Sequence, residues 1–195
     1  MNNYEEKFNI AKQLHSSGKI KESQKIYLDL VKIYKNNYIL FYLIGTTFLQ
    51  LKKFDEAINH FDTSIKLNSN FPEAYNNLGI ALAEKEKYSK ALVNYNKAIK
   101  LKDDYIDAHI NRGISLSKLE KFNDAVNDFN FVIRTQPLNP KAHNNLGNVF
   151  KKLKNYDEAI NSYNKAININ QNYFEAISNK AYILNLQKKY ENSLI

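Results

Sequence analysis

The sequence contains no cysteine, and among its 195 residues there are only five glycines, three prolines and two arginines. Without cysteine the chain can form neither a disulfide framework nor a thiolate metal site. Residues 1–7 are polar and lack the apolar core of a secretory signal. The longest uncharged stretch, residues 36–51, is too short and too polar at its ends to span a membrane. We therefore expect a cytoplasmic protein that does not associate with membranes.

The net charge of +8 comes almost entirely from lysine, because Arg112 and Arg134 are the only arginines. Many lysines lie next to predicted turns: Lys52, Lys53, Lys85, Lys87, Lys151, Lys152, Lys188 and Lys189. At these places a cation suits the negative end of the preceding helix. We interpret them as a solvated surface rather than a phosphate-binding stripe, and we expect no nucleic-acid partner.

Four of the five glycines recur at a fixed interval of 34 residues, and other sets of residues recur at the same interval. The glycine column is Gly45, Gly79, Gly113 and Gly147, and the alanine column is Ala57, Ala91, Ala125 and Ala159. Two further columns are aromatic: Phe54, Tyr88, Phe122, Tyr156 and Tyr190, and then Phe61, Tyr95, Phe129 and Tyr163. A period of this length predicts an array of structural repeats.

Apolar spacing between successive glycines is helical and predicts two helices in each repeat. One helix face holds Ala74, Leu78, Ala81 and Leu82, and the next holds Ala91, Leu92, Tyr95, Ala98 and Ile99. First helices begin at Pro72 and Pro140, where a missing N–H is tolerated. Second helices have good N-cap candidates in Asp55, Ser89, Asn123 and Asp157. Each repeat is therefore predicted to be a helical hairpin.

A glycine within a helix costs about 1 kcal/mol relative to alanine, so the recurring glycine requires a reason. We expect the two helices of a hairpin to cross closely there, with the alanine column as a second small surface. The aromatic columns and Ile65, Ile99, Ile133 and Ile167 are expected to fill the space between hairpins.

The pattern resembles the tetratricopeptide repeat family. It appears as Tyr75-x-x-Leu78-Gly79-x-x-Leu82 and again as His143-x-x-Leu146-Gly147-x-x-Phe150, each followed by the alanine and aromatic columns. The resemblance implies an all-α, right-handed solenoid of antiparallel helical hairpins, a superhelix. Its repeats would be 4–37, 38–71, 72–105, 106–139, 140–173 and a partial one at 174–195 within a single array. The first repeat departs most, with Ala11 and Ser23 in the glycine and alanine columns.

The end of the sequence aligns with the start of a second helix, since residues 190–195 match residues 156–161. Solenoids use polar capping elements at their ends, and none is recognisable here. We therefore expect a C-terminally truncated fragment of a longer protein, with oligomerisation through the uncapped end as a possible consequence.

The most specific functional candidate is a column of asparagines. In proteins similar to this one, the column faces the concave side of the superhelix. An asparagine amide can donate and accept hydrogen bonds, so a ladder of them can hold an extended peptide backbone. The competing interpretation is that asparagine is simply common in this column and in this chain. The predicted peptide-binding residues are Asn76, Asn77, Asn111, Asn144, Asn145, Asn148 and Asn179, with Tyr42 and Leu43 as an apolar contact.

Two functions follow from the resemblance. The first is a non-catalytic scaffold that binds extended segments of other proteins in its groove. The alternative is the substrate-selecting arm of a larger enzyme, because the ladder is similar to the repeat arm of O-linked N-acetylglucosamine transferases. The lysine, asparagine and arginine clamp by which some relatives grip a C-terminal carboxylate is absent, with only Lys141 in place.

The second repeat carries apolar residues in its inner columns: Ile39, Tyr42, Leu43 and Leu49. Together with Phe8 they could form a pocket for a partner side chain or a dimer contact. Tighter packing against the first repeat is the interpretation that we favour, because apolar residues at helical spacing usually belong to a core.

Two charged residues of the same repeat differ from the residue types found at their positions in the other repeats. Arg112 replaces a leucine, and Asp128 is the acid in a column that otherwise holds His60, Asn94 and Ser162. A structural Arg112–Asp128 pair explains both, since a half-buried charge requires a partner. His109 and His143 share one column and are expected to be packed rather than metal-bound. The sequence shows no catalytic constellation, and we expect neither enzymatic activity nor a cofactor.

Overall fold

A computed structural model describes residues 3–193 as helices and short turns, with side chains described for residues 4–187. The helices are α1 (Asn3–Ser16), α2 (Ile20–Ile33), α3 (Tyr38–Gln50), α4 (Phe54–Leu67), α5 (Pro72–Glu84), α6 (Tyr88–Leu101), α7 (Ile106–Lys118), α8 (Phe122–Thr135), α9 (Pro140–Lys152), α10 (Tyr156–Ile169) and α11 (Phe174–Ser193). Residues through Ala108 form one compact unit, here unit 1, and residues from His109 form unit 2, so that the boundary falls within α7.

Consecutive helices pair as hairpins. In unit 1 the pairs are α1 with α2, α3 with α4 and α5 with α6, and successive hairpins contact one another through α2–α3 and α4–α5. In unit 2, α9 pairs with α10 and contacts α8 and α11. The predicted all-α solenoid of helical hairpins is therefore confirmed. No helix within residues 3–193 combines the length and hydropathy needed to cross a bilayer.

The glycine column is explained by an aromatic ring of the partner helix. A Cβ atom on Gly79 would lie 2.5 Å from Cε1 of Tyr95, and one on Gly45 would lie 2.6 Å from Cε1 of Phe61. Gly113 and Gly147 meet Phe129 and Tyr163 in the same way. These rings are buried, and so are the alanines of the alanine column. The predicted close crossing is confirmed, and the second aromatic column fills space inside each hairpin as well as between hairpins.

The start of each second helix differs from the prediction. The N-cap residues are Lys53, Lys87, Lys121 and Asn155, and none of them makes a side-chain cap hydrogen bond. Asp55, Ser89, Asn123 and Asp157 instead lie inside the first turn. The reason is the tight turn before each helix. There the N–H of Lys53 donates to Phe48 O and the N–H of Lys52 to Leu49 O, which places the aromatic residue at the first helical position.

First helices begin as predicted at Pro72 and Pro140. The sequence did not predict two N-cap residues of first helices, those of α3 and α9. Asn37 Oδ1 accepts hydrogen bonds from the N–H groups of Ile39 and Leu40, and Asn139 Oδ1 accepts one from Ala142. These bonds satisfy donors that have no partner within the helix.

The last helix is continuous. The sequence predicts a break at Lys188 and Lys189 and a new helix at Tyr190, but α11 runs without interruption from Phe174 to Ser193. In four other hairpins the break between the helices contains a non-glycine residue with a positive φ angle, such as Glu86. A helix that continues avoids this conformation, which costs about 1–2 kcal/mol.

Candidate functional site

The asparagine column lies on the first helices of successive hairpins: Asn77 on α5, Asn111 on α7, Asn145 on α9 and Asn179 on α11. All four side chains are partly exposed. Asn9 of α1 occupies the same repeat position and is exposed. The sequence interpretation missed Asn9, although it precedes Ala11 by two residues as Asn77 precedes Gly79.

Two of the predicted peptide contacts have buried side chains. Asn76 is only 3% exposed and Asn144 only 1% exposed, so neither side chain faces the solvent. Adjacent residues of a helix point in directions about 100° apart. The outer asparagine of each pair therefore faces solvent while the inner one packs against a neighbouring helix.

In unit 1 the inner asparagine bonds the outer one directly, and each of them also bonds a tyrosine. Asn77 Nδ2 donates to the Tyr42 hydroxyl at 3.2 Å, and Asn76 Nδ2 donates to Asn77 Oδ1 at 3.3 Å. Asn76 also hydrogen-bonds Tyr105. Burial raises the pKa of both Tyr42 and Tyr105 above the ordinary tyrosine value, at which the hydroxyl is already protonated near neutral pH. The network fixes the orientation of the Asn77 amide.

The apolar residues of the second repeat are mainly packed. Phe8 and Leu43 pack against a core cluster that includes Tyr27, and Tyr42 and Leu49 pack against the next cluster along the chain. Tyr42 and Leu43 stay partly exposed, while Ile39 is 38% exposed. The favoured packing interpretation is therefore supported, and a role of Tyr42 and Leu43 in peptide contact stays a prediction.

Unit 2 contains a cleft of about 390 Å³. Three members of the predicted site line it, together with other residues of α7, α8, α9 and α11 and with Glu120 of the turn between α7 and α8. The lining residues are Ile114, Ser117, Lys118, Glu120, Phe122, Phe129, Asn145, Asn148, Lys151, Lys152, Glu175 and Asn179.

A chain of hydrogen bonds crosses from α9 to α11 beside this cleft. Lys151 Nζ donates to Asn179 Oδ1 at 2.8 Å, and Asn179 Nδ2 donates to Asn144 Oδ1 at 3.4 Å. Asn144 Nδ2 in turn donates to Glu175 Oε1 at 2.8 Å. Burial lowers the pKa of the Lys151 ammonium, Lys152 lowers it further, and Glu175 raises it. Asn144 thus orients the side chains of Asn179 and Glu175, although its own side chain does not face the solvent.

Two other asparagines of the cleft differ in their bonding. Asn148 Oδ1 accepts a hydrogen bond from the Tyr163 hydroxyl at 2.9 Å. Asn145 Nδ2 is buried and has no hydrogen-bond partner among the described residues. A buried donor without an acceptor is unusual and calls for an explanation.

Lys151 and Glu175 were not among the predicted site residues. A sequence signal for Lys151 exists, because it follows Asn144 and Asn148 at the spacing of one helix face. No such signal exists for Glu175, which lies on a different helix and meets this face only through packing of α9 against α11.

The Arg112–Asp128 pair predicted from the sequence is present. Arg112 Nε donates to Asp128 Oδ2 at 2.8 Å, and Arg112 Nη2 donates to the other carboxylate oxygen. His109 Nδ1 lies 2.9 Å from Asp128 Oδ1, a contact that the sequence did not predict. The ring of His109 stacks on Phe131 with centroids 4.0 Å apart.

His143 shares the column of His109 but has a separate partner, the carbonyl oxygen of Pro137 at 3.1 Å from Nε2. Both histidines are buried. Within the part of the chain that the structure describes, no three His, Cys, Asp or Glu residues lie close enough together to hold a metal ion.

Comparison with known families identifies the repeats. The tetratricopeptide repeat model matches residues 140–173, and a second model described as a TPR repeat matches residues 45–86 and 80–120. Together they match more than half of the chain. The chain belongs to the tetratricopeptide repeat family. Proteins of this family are typically non-enzymatic scaffolds that mediate protein–protein interactions.

Solved structures of tetratricopeptide repeat proteins share the fold at low sequence identity. YrrB, described as a TPR protein with an unusual peptide-binding site, is 20% identical over 90% of both chains, with a TM-score of 0.74. TTC0263, a thermophilic TPR protein of Thermus thermophilus, is 17% identical over 93% of this chain and 98% of its own, also with a TM-score of 0.74. A chain of the APC/C hetero-tetramer Cut9–Hcn1 is 17% identical over 91% of this chain and 36% of its own, with a TM-score of 0.82. No curated protein matches the sequence.

Proposed function

We propose that this tetratricopeptide repeat protein is a non-catalytic scaffold that binds extended segments of other proteins through its asparagine column. The observation that carries the proposal is the recurrence of a partly exposed asparagine at one position of successive first helices, on α5, α7, α9 and α11. In unit 2 this column borders a cleft, and one of its buried donors has no partner among the described residues.

The chemistry of the amide suits a peptide backbone. A primary amide offers two donors and one acceptor, and an extended backbone presents carbonyl and N–H groups in alternation. Hydrogen bonds to the main chain provide affinity that depends little on the sequence of the peptide. The orienting bonds of Asn77 to Tyr42 and of Asn179 to Lys151 reduce the entropy lost on binding.

Two of the structural relatives bear on the same class of function. YrrB is described by its peptide-binding site, and the third relative by its place in the Cut9–Hcn1 hetero-tetramer. The alternative of a substrate arm of a glycosyltransferase has no support from the relatives named above. Assembly through α11, where Phe174 is 74% exposed, and a cytoplasmic location both stay predictions.

The proposal is tested with the full chain and a capped, uncharged peptide, acetyl-Ala-Thr-Ser-Asn-Ser-Thr-Ala-amide, called the neutral peptide. Binding is followed by chemical-shift changes in ¹⁵N-labelled protein. Replacing the column asparagines by alanine should weaken binding by about tenfold or more, because several hydrogen bonds are lost. The residues to replace are Asn77, Asn111, Asn145 and Asn179.

A matched control replaces four exposed asparagines of second helices by alanine: Asn59, Asn123, Asn127 and Asn161. Both sets change helix propensity in the same direction, so a difference in binding reports the column itself. Circular dichroism establishes that helicity is retained. Equal affinity of the column variant and the control for the neutral peptide would disprove the proposal.

A further inference from the structure

The cleft of unit 2 contains two polar groups whose bonding is incomplete, and both belong to α9. The first is Asn145, whose Nδ2 donor is buried with no acceptor among the described residues. Folding normally pairs such donors, because an unpaired buried N–H loses its bonds to water without replacement. Asn145 as a residue is partly exposed and lines the cleft, so a rotation of its amide would bring this donor to an acceptor placed there by a ligand.

The second group is the ammonium of Lys151. It donates to Asn179 Oδ1 and lies 5.8 Å from the centre of the Tyr182 ring, but it forms no ion pair with any described carboxylate. An ammonium has three donors, and the amide takes one of them. Glu175, the nearby acid, is held by Asn144 at 2.8 Å. Burial and, to a smaller extent, Lys152 lower the pKa of Lys151, and the opposing effect of Glu175 does not cancel them.

The remaining lining residues complete an environment for an anion. The cleft has three lysines, Lys118, Lys151 and Lys152, and two acids, Glu120 and Glu175. One of those acids already has its own hydrogen-bond partner within the protein. Apolar surface from α7 and α8 lies alongside, from Ile114, Phe122 and Phe129. Such a wall suits the methylene groups that carry a side-chain carboxylate.

We propose that the cleft binds the side-chain carboxylate of an aspartate or glutamate within an extended peptide, through Lys151 and Asn145. The inference rests on the proposed function and adds to it a preference for acidic segments. A carboxylate has about four acceptor sites, enough to bond the ammonium and the amide donor at once. The bonds are charge-assisted and therefore stronger than those of the asparagine column to a neutral backbone.

An internal acidic residue fits the column better than the end of a chain. Asn145 is the middle member of the three column positions of unit 2, between Asn111 on α7 and Asn179 on α11. A peptide held by all three passes the cleft and continues beyond it. The residue whose side chain enters the cleft is therefore flanked by main chain on both sides.

The first experiment compares the neutral peptide with an acidic peptide in which aspartate replaces its central asparagine. The unmodified protein should bind the acidic peptide about tenfold more tightly or better, since charge-assisted bonds to a buried site are gained. The side-chain amide signals of Asn145 should shift more with the acidic peptide. A third peptide, neutral but with a free C-terminal carboxylate, should bind like the neutral one.

The second experiment removes the positive charge of Lys151 and keeps a polar side chain at that position. Lys151→Gln keeps an amide donor for Asn179 but no longer attracts an anion. We expect it to bind both peptides with the affinity that the unmodified protein has for the neutral one. Lys90→Gln, an exposed lysine of α6, removes the same charge from unit 1 and should preserve the preference.

The outcomes separate this inference from the proposed function. Equal binding of the acidic and neutral peptides by the unmodified protein would overturn the inference and leave the scaffold proposal standing. Binding of neither peptide would overturn both. An acidic preference that survives in Lys151→Gln, or a preference for the free C-terminal carboxylate alone, would place the anion elsewhere and overturn the inference.

Discussion

At the scale of single residues, the most unusual feature is the carboxylate of Asp128, because the residue is only 3% exposed. It accepts hydrogen bonds from Arg112 and lies against His109, whereas the next repeat has Leu146 and Ser162 in the positions of Arg112 and Asp128. An ion pair therefore replaces apolar packing in one repeat. Such a replacement makes each partner depend on the other, because a buried charge left alone is costly.

The Asp128→Ala variant should lose on the order of 3 kcal/mol of stability, since the Arg112 guanidinium would stay partly buried without its counter-ion. Urea denaturation followed by circular dichroism measures this loss.

A double variant provides the control. Arg112→Leu with Asp128→Ser copies the residues of the following repeat and should remain within about 1 kcal/mol of the unmodified protein. If the double variant is as unstable as Asp128→Ala, the loss comes from packing and the ion pair is not the cause.

At the scale of helices and turns, the turn between the two helices of four hairpins contains a residue with a strained backbone conformation. Lys52, Glu86, Glu120 and Lys154 all have positive φ angles, between 57° and 62°, although none of them is glycine. The left-handed conformation closes the turn by hydrogen bonds such as that from the N–H of Lys87 to Leu82 O. Each such residue carries a conformational cost that glycine does not have.

Glu86→Gly should raise the free energy of unfolding by about 0.5–1 kcal/mol, because glycine adopts this conformation without the Cβ clash. The change is measured as a shift of the urea midpoint.

The neighbouring position is the matched control. Lys87 has a φ of −82°, an ordinary conformation, so Lys87→Gly relieves no backbone strain. It only increases the conformational freedom of the unfolded chain. We expect it to destabilise the protein. Stabilisation by both substitutions, or by neither, would contradict the assignment of strain to Glu86.

The elements themselves were largely predictable from the sequence, and their boundaries less so. Periodicity predicted the helical hairpins, and Pro72 and Pro140 marked where two helices begin. The N-caps of the second helices were wrong by two residues, because the closing turn and not the side chain sets the start. The continuity of α11 was missed as well, since a local sequence match does not supply the packing that a break requires.

At the scale of the whole molecule, we expect the partly buried His60 and the buried His143 to make stability depend on pH. Burial lowers the pKa of His60, whose ring stacks against Phe41 and Phe48, and also that of His143. The unfolded chain therefore binds more protons than the folded one near and below about pH 6.5. The stability that these groups contribute is present above that value and is lost as the pH falls from there through their lower pKa values in the folded state.

We expect the urea midpoint to fall when the pH is lowered from about 7.5 to about 5.5, and to fall less in the double variant His60→Gln/His143→Gln. The range stops there because burial raises the pKa of Asp62, which acts with the opposite sign closer to pH 4. An equal fall in both proteins would show that these two histidines do not cause the dependence.

The repeat period alone was sufficient to predict the fold and the tight crossing at each glycine, because both follow from local spacing repeated along the chain. Packing of the helices decided the rest. It buried Asn76 and Asn144 and left Asn77 and Asn145 partly exposed, since the rotation of a helix against its neighbours determines which of two adjacent residues faces outward. It also brought Lys151 and Glu175 to one cleft and left a buried donor on Asn145. The contacts of Lys151, Glu175 and Asn145 occur in one repeat only and carry no periodic signal, so only the tertiary structure could reveal them.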